Sequence, residues 1–265
     1  MLDCNEATLS LHKDTPIFDG PYSNDCYRAR IREALIDYRQ KSGAQPGNML
    51  AQWDRLVFHL PYAFQARRMF SEIYIEELKA NGKWAAFIEQ HDLSVPCADN
   101  YEDREEYLTK CGEFLRMVAK TNTYKSFVQE KIAPGEWASS QVGNLYAGSI
   151  FLSLMSTLEE ALEVGTDLAG HQIGCFAYGS GSKSKVFVAQ VGVEWAQCVV
   201  RFGLRQRLAN RQAIDYSTYE RLHRGQILDN VTEQDNGTFF LADVHSDRDE
   251  LEGVRHYGYR SEAFV

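Results

Sequence analysis

A histidine closes an apolar run early in this chain: His59 follows Leu56-Val57-Phe58 and precedes Leu60-Pro61-Tyr62. An imidazole near neutral pH can donate or accept a proton, so one at the end of a β-like run is suited to polarising a carbonyl or moving a proton. Two later segments carry further groups of this kind. Gln141-Val142-Gly143-Asn144-Leu145-Tyr146-Ala147-Gly148-Ser149 opens an apolar stretch, and its small residues permit close approach of a ligand or a second backbone. Gly174-Cys175-Phe176-Ala177-Tyr178-Gly179-Ser180-Gly181-Ser182 ends another β-like run in a Gly/Ser turn. Each segment also has a plain structural meaning. A lone histidine beside a strand is commonly a satisfied core residue, Asn144 is a good helix cap, and Gly-Ser pairs are common hairpin connectors.

The elements that must hold these groups can be read from periodicity. Residues 23–40 carry Tyr27, Ile31, Leu35 and Tyr38 at helical steps, and Gly43 with Gln45-Pro46-Gly47 ends that helix. Residues 56–58 read as a short buried strand. Pro61 interrupts, and 64–78 resume a helix with Ala66, Phe70 and Ile73 on one side. His59 therefore sits at a strand-to-helix junction, the end of a strand where α/β folds place ligands. Residues 81–137 form a polar, helix-rich middle with a charged helix start near Asn100-Tyr101-Glu102-Asp103 and a break at Ala133-Pro134-Gly135, read as a helical insertion. The apolar stretch 143–162 reads as one long buried helix. Residues 173–178 and 185–193 read as strands joined by the Gly/Ser hairpin, with 196–202 as a candidate extension of that β region. Residues 212–224 read as a helix, and 237–244 with 253–260 as a final antiparallel pair. The expectation is one α/β domain over 1–265.

Composition bounds the function. The chain has 265 residues, 44% of them hydrophobic and 12% aromatic, enough for a packed core. Its net charge of -9 and lack of a basic cluster exclude the usual nucleic-acid binder, which must displace phosphate counterions with Lys and Arg. Six scattered cysteines contain no C-x-x-C pair, so neither a zinc site nor a disulfide framework is expected. Cys111 lies in a helical pattern and reads as structural. Met1-Leu2-Asp3-Cys4-Asn5-Glu6 lacks the basic and apolar pattern of a signal peptide, and no stretch approaches the roughly 18 apolar residues that span a bilayer. A cytoplasmic chain without membrane or nucleic-acid partners is expected.

The segments Phe18-Asp19-Gly20-Pro21-Tyr22-Ser23, Phe58-His59-Leu60-Pro61-Tyr62, Gly143-Asn144-Leu145-Tyr146 and Tyr178-Gly179-Ser180-Gly181-Ser182, in this order, resemble the C-terminal half of hydroxymethylglutaryl-CoA synthases. The resemblance covers most of the chain and implies a thiolase-like α/β fold. It implies that His59 hydrogen-bonds the acceptor thioester or its ketone, that Asn144 contacts the thioester carbonyl, and that Tyr62, Tyr178 and Ser180 line the substrate site. A backbone N–H near Ser180 would belong to the oxyanion hole. Arg67, Arg68 and Lys183 are candidates for the phosphates of CoA or of a phosphopantetheine arm. No metal or cofactor is implied, only acetyl-CoA and acetoacetyl-CoA as substrates, with the mevalonate pathway as the usual setting.

Two departures shape the expectation. The family's nucleophilic cysteine and general-base glutamate lie in an N-terminal half that nothing here matches. The chain is thus expected to be one part of a split synthase, or the C-terminal product of a cleaved or truncated one, working with that half as a separate chain within a larger homo- or hetero-oligomer. Phe64 also stands where the family commonly has a CoA-binding lysine. Acyl carrier protein in place of free CoA, as in polyketide β-branching synthases, is the alternative. A ketoacyl synthase relative is disfavoured by the Phe-His-x-Pro-Tyr setting, and a noncatalytic scaffold subunit is the remaining rival.

Overall fold

The structure is a computed structural model that describes residues 19–179, 182–226, 238–245 and 253–260. They fall into two compact units, residues 1–209 and 210–265.

The first element among the described residues of the first unit is helix α1 (Gly20–Ser42). Asp19 caps it by accepting from the Tyr22 N–H at 3.0 Å, Pro21 occupies its first turn, and Gly43 ends it in a left-handed conformation with φ 70°. Its buried face is Tyr27, Ile31 and Leu35, the face that periodicity marked. A short helix α2 (Met49–Gln52) leads to strand β1 (Arg55–Phe58). Helix α3 (Gln65–Ala80) then buries Ala66, Phe70 and Ile73 as expected.

Four helices follow: α4 (Trp84–Gln90), α5 (Arg104–Lys120), α6 (Asn122–Lys131) and α7 (Ala133–Val142). Asp103 caps α5 and Thr121 caps α6, while Pro134 sits in the first turn of α7, where its missing N–H costs nothing. The middle segment is helical, and its Phe114, Val118, Tyr124, Phe127 and Val128 belong to the same buried cluster as Leu35, Phe58 and Phe70.

The sequence reading of 143–162 as one helix is corrected. Gly143 takes φ 88°, a 3₁₀ turn occupies Tyr146–Gly148, and helix α8 runs Ser149–Glu163. Nor is α8 buried all round, since Phe151 is largely exposed. Strands β2 (Gln172–Gly179) and β3 (Lys183–Gln190) form the expected hairpin. Residues 196–202 do not extend the sheet: they lie in or just after a short helix, α9 (Trp195–Val199), followed by α10 (Leu204–Ala209).

The sheet order is β1-β2-β3, with β1 parallel and β3 antiparallel to β2. Alternation along the strands divides the core in two. Leu56, Phe58 and Phe176 face α1, α3 and α6, whereas Val57, Ile173 and Cys175 face the side of α8 and α9. Phe58 stacks on Phe176 with centroids 4.5 Å apart, across the register that pairs them. Gly174 is required by packing. A Cβ there would lie 2.1 Å from the Trp53 ring, which covers the strand at that point.

The second unit contains helix α11 (Tyr216–His223), capped by Asp215, and the antiparallel pair β4 (Thr238–Val244) and β5 (Arg255–Arg260). Phe240 lies against Gly258, where a Cβ would meet its ring at 2.6 Å. The ring thus covers backbone that a side chain would otherwise shield.

Candidate active site

His59 is placed by the sheet. Its N–H continues the β1 ladder to the Phe176 carbonyl at 2.9 Å, and its own carbonyl accepts from the Tyr27 hydroxyl at 2.9 Å. The backbone is held on both edges. Pro61 then turns the chain into α3, so the histidine occupies the carboxyl end of a parallel strand.

His59 is 6% exposed. Its ring centroid lies 6.4 Å from that of Tyr27 and 5.8 Å from that of Tyr178, which are themselves 5.1 Å apart. Nδ1 is 2.7 Å from the Ser149 hydroxyl, and that hydroxyl accepts from the Leu60 N–H at 3.0 Å. Burial lowers the His59 pKa from its ordinary value, and a backbone hydrogen bond with Tyr146 works in the opposite direction. The neutral imidazole is thereby favoured. Burial also raises the Tyr27 pKa, assisted by Tyr178 and Tyr62, so its phenol remains a neutral donor.

Asn144 is exposed and lies before α8, so it does not cap that helix. Its Oδ1 instead accepts from the Tyr146 N–H at 2.7 Å, closing a local turn. Tyr146 has φ 48° and is 75% exposed, an unusual conformation for a side chain of its size. Asn144 therefore reaches His59 through the backbone of Tyr146. Its Nδ2 has no hydrogen-bond partner among the described residues.

Tyr178 is half-buried beside His59 on β2. Ser180 lies outside the described residues. Tyr62 is exposed next to the histidine, with the Arg68 guanidinium 5.9 Å from its ring centroid. Lys183 is exposed at the first position of β3.

Arg67 is used within the fold. Its Nε donates to Glu136 Oε2 at 2.8 Å, and its Nη2 donates to the same oxygen. Glu136 is 2% exposed, and burial raises its pKa while Arg67 pulls it down. The guanidinium also lies over Phe64, 4.8 Å from the ring centroid. A charge committed to a buried carboxylate is a poor anchor for a mobile phosphate, which leaves Arg68 and Lys183 as the exposed candidates.

Sequence reasoning did not assign roles to Tyr27, Tyr146 or Ser149. Tyr27 was legible only as a core position and Ser149 only as a small residue near a helix start. Their partners are brought to them by the fold, 32 residues away for Tyr27 and 90 for Ser149. Among the described residues no cluster of three or more His, Cys, Asp or Glu is placed to hold a metal ion, and no helix is long and apolar enough to cross a membrane.

Residues 9–245 match the family described as hydroxymethylglutaryl-coenzyme A synthase C terminal. The hydroxymethylglutaryl-CoA synthase of Haloferax volcanii is 26% identical over 215 residues, covering 81% of this chain and 47% of that protein. The structure of MvaS in complex with 3-hydroxy-3-methylglutaryl coenzyme A superposes with a TM-score of 0.64 at 24% identity, covering 94% of this chain and 53% of that one. The curacin biosynthetic HMG synthase in complex with holo donor-ACP gives a TM-score of 0.60 at 19% identity, covering 95% and 53%. The chain spans about half the length of the relatives it matches, and its fold is thiolase-like α/β.

Proposed function

This chain belongs to the hydroxymethylglutaryl-CoA synthase family, matching its C-terminal part, and from that premise we propose that it is the acceptor-holding half of a condensing acyltransferase. An acetyl group is carried as a thioester on a cysteine of an N-terminal half, supplied by a second chain or by the preceding part of a longer one. A glutamate of that half removes a methyl proton, the resulting carbanion attacks the ketone of acetoacetyl-CoA, and water releases the product. Covalent catalysis divides one hard condensation into easier steps.

The observation that carries this reading is His59 at the carboxyl end of β1, buried, with its pKa lowered by that burial, and held through Nδ1. A neutral imidazole held through Nδ1 exchanges the bond between its N–H and the Tyr146 backbone for one to the thioester or ketone oxygen and orients it for attack. Asn144 contributes Nδ2 as a second donor, and Tyr62, Tyr178 and Ser180 contact the acceptor. Arg68 and Lys183 meet the phosphates. The two halves would share a large apolar interface, as obligate partners do.

Co-expression with a chain bearing the cysteine and glutamate, followed by assay of acetyl-CoA and acetoacetyl-CoA, tests the proposal. A stable complex that condenses, and that assembles without turnover when it carries His59→Ala, supports it. Unchanged turnover in that variant would make the chain a scaffold, and full activity from the chain alone would remove the need for a second half. A carrier-protein acceptor is favoured by one observation: Phe64 stands where the family commonly has a CoA-binding lysine, and the Arg67 guanidinium lies over it. Faster turnover with acetoacetyl-ACP than with acetoacetyl-CoA would select that reading.

A further inference from the structure

We propose that Ser149 is a positioning residue: its hydroxyl donates to Nδ1 of His59 and so fixes the tautomer that carries its proton on Nε2. This rests on the reading of His59 as the group that meets the acceptor.

The argument is one of donors and acceptors. Ser149 is 0% exposed, at the first position of α8. A backbone N–H can only donate, so the 3.0 Å bond from Leu60 occupies a lone pair of Oγ and leaves the hydroxyl proton unspent. The one acceptor given to that proton among the described residues is Nδ1 of His59, at 2.7 Å. If Nδ1 carried the hydrogen instead, Oγ would accept twice, and its own proton would be stranded at a fully buried position. Buried donors are rarely left so.

The tautomer matters because the ring is held neutral. A neutral imidazole has one N–H and one lone pair, and only the N–H is attracted to a carbonyl oxygen that gains negative charge. With Nδ1 tied to Ser149, the N–H falls on Nε2. A ring N–H also donates to the Tyr146 backbone, the bond that works against burial in setting the pKa. Asn144, by accepting from the Tyr146 N–H at 2.7 Å, keeps that part of the backbone in place.

The test uses the full chain labelled with ¹⁵N-histidine, with His59→Gln assigning the His59 signals. Above about pH 7, where the imidazole is neutral, the wild-type spectrum should show hydrogen on Nε2 and none on Nδ1. Ser149→Ala should move the tautomer ratio toward Nδ1 by about fivefold, the factor an ordinary hydrogen bond confers. Ser149→Thr, which keeps a hydroxyl, should restore the wild-type ratio. A wild-type spectrum with hydrogen on Nδ1 overturns the proposal, even should the alanine variant fail to fold. So does an unchanged ratio in Ser149→Ala. Acetoacetyl-CoA binding, measured on the same samples, separates the two claims. If the tautomer moves as stated while His59→Gln binds like wild type, the hydroxyl's effect on the ring stands and the functional reading of His59 falls.

Discussion

Replacing Arg67 by methionine separates a structural cation from a substrate-binding one. The substitution keeps much of the apolar stem and removes the guanidinium, leaving Glu136 as a carboxylate 2% exposed whose Oε1 already lacks a hydrogen-bond partner among the described residues. Removing one partner of a fully buried pair costs about 3–5 kcal/mol. The Arg67 side chain is 37% exposed, so water already screens part of the interaction, and the expectation falls to about 2–3 kcal/mol. In a chain of this size that is a drop in melting temperature of about 4–12 °C. The sign with pH follows. Without Arg67 the folded-state pKa of Glu136 rises further above its unfolded value, so the carboxyl stabilises the fold only where it is protonated. The deficit should shrink as pH falls from neutral toward the unfolded carboxylate pKa, about 4.3. Adding Glu136→Gln to Arg67→Met should recover about half of the loss or more, because the orphaned charge is gone. Thermal melts and urea titrations of the single and double variants at two pH values measure these changes. An Arg67→Met chain as stable as wild type would overturn the structural role of Arg67 and return it to the candidates for phosphate binding.

Arg68→Met, by contrast, should change stability by less than about 0.5 kcal/mol, as surface changes do; in the active complex it should raise KM for the CoA substrate, and an equal KM would remove it from the phosphate site. Gly174→Ala should cost about 1–3 kcal/mol through overpacking against Trp53, accompanied by a shift in tryptophan fluorescence; Trp53→Phe in the same chain should recover part of it. His59→Asn tests burial of the neutral ring. Because the folded pKa of His59 is depressed, its contribution is full above the unfolded value of about 6.5 and is lost as pH falls through the folded one. The stability difference between wild type and variant should therefore narrow in acid, and a difference independent of pH would contradict the burial argument.

Local patterning carried much of the fold. Helical periodicity at Tyr27, Ile31 and Leu35 and at Ala66, Phe70 and Ile73 identified faces that are buried. The strand at 56–58 and the Gly/Ser hairpin were legible because turn residues and apolar runs act over short range. The errors came where short-range signals competed. Gly143 and the Asn144 turn delay α8 to Ser149, since an asparagine side chain bonds its own backbone as readily as it caps a helix. Val199 and its neighbours have strand-like composition, but tertiary burial beside Val57 and Ile173 places them in a helix.

The residue types of the site and its family were set by the order of the His59, Asn144 and Tyr178 segments along the chain. What the order could not supply is pairing. Arg67 and Arg68 are adjacent cations with equal propensities, yet one neutralises Glu136, 69 residues away, and the other remains exposed. Ser149 becomes the partner of His59 because β1 and the start of α8 meet in space. Hydrogen bonds and ion pairs depend on distance and desolvation, which a chain acquires only when its distant segments pack against one another.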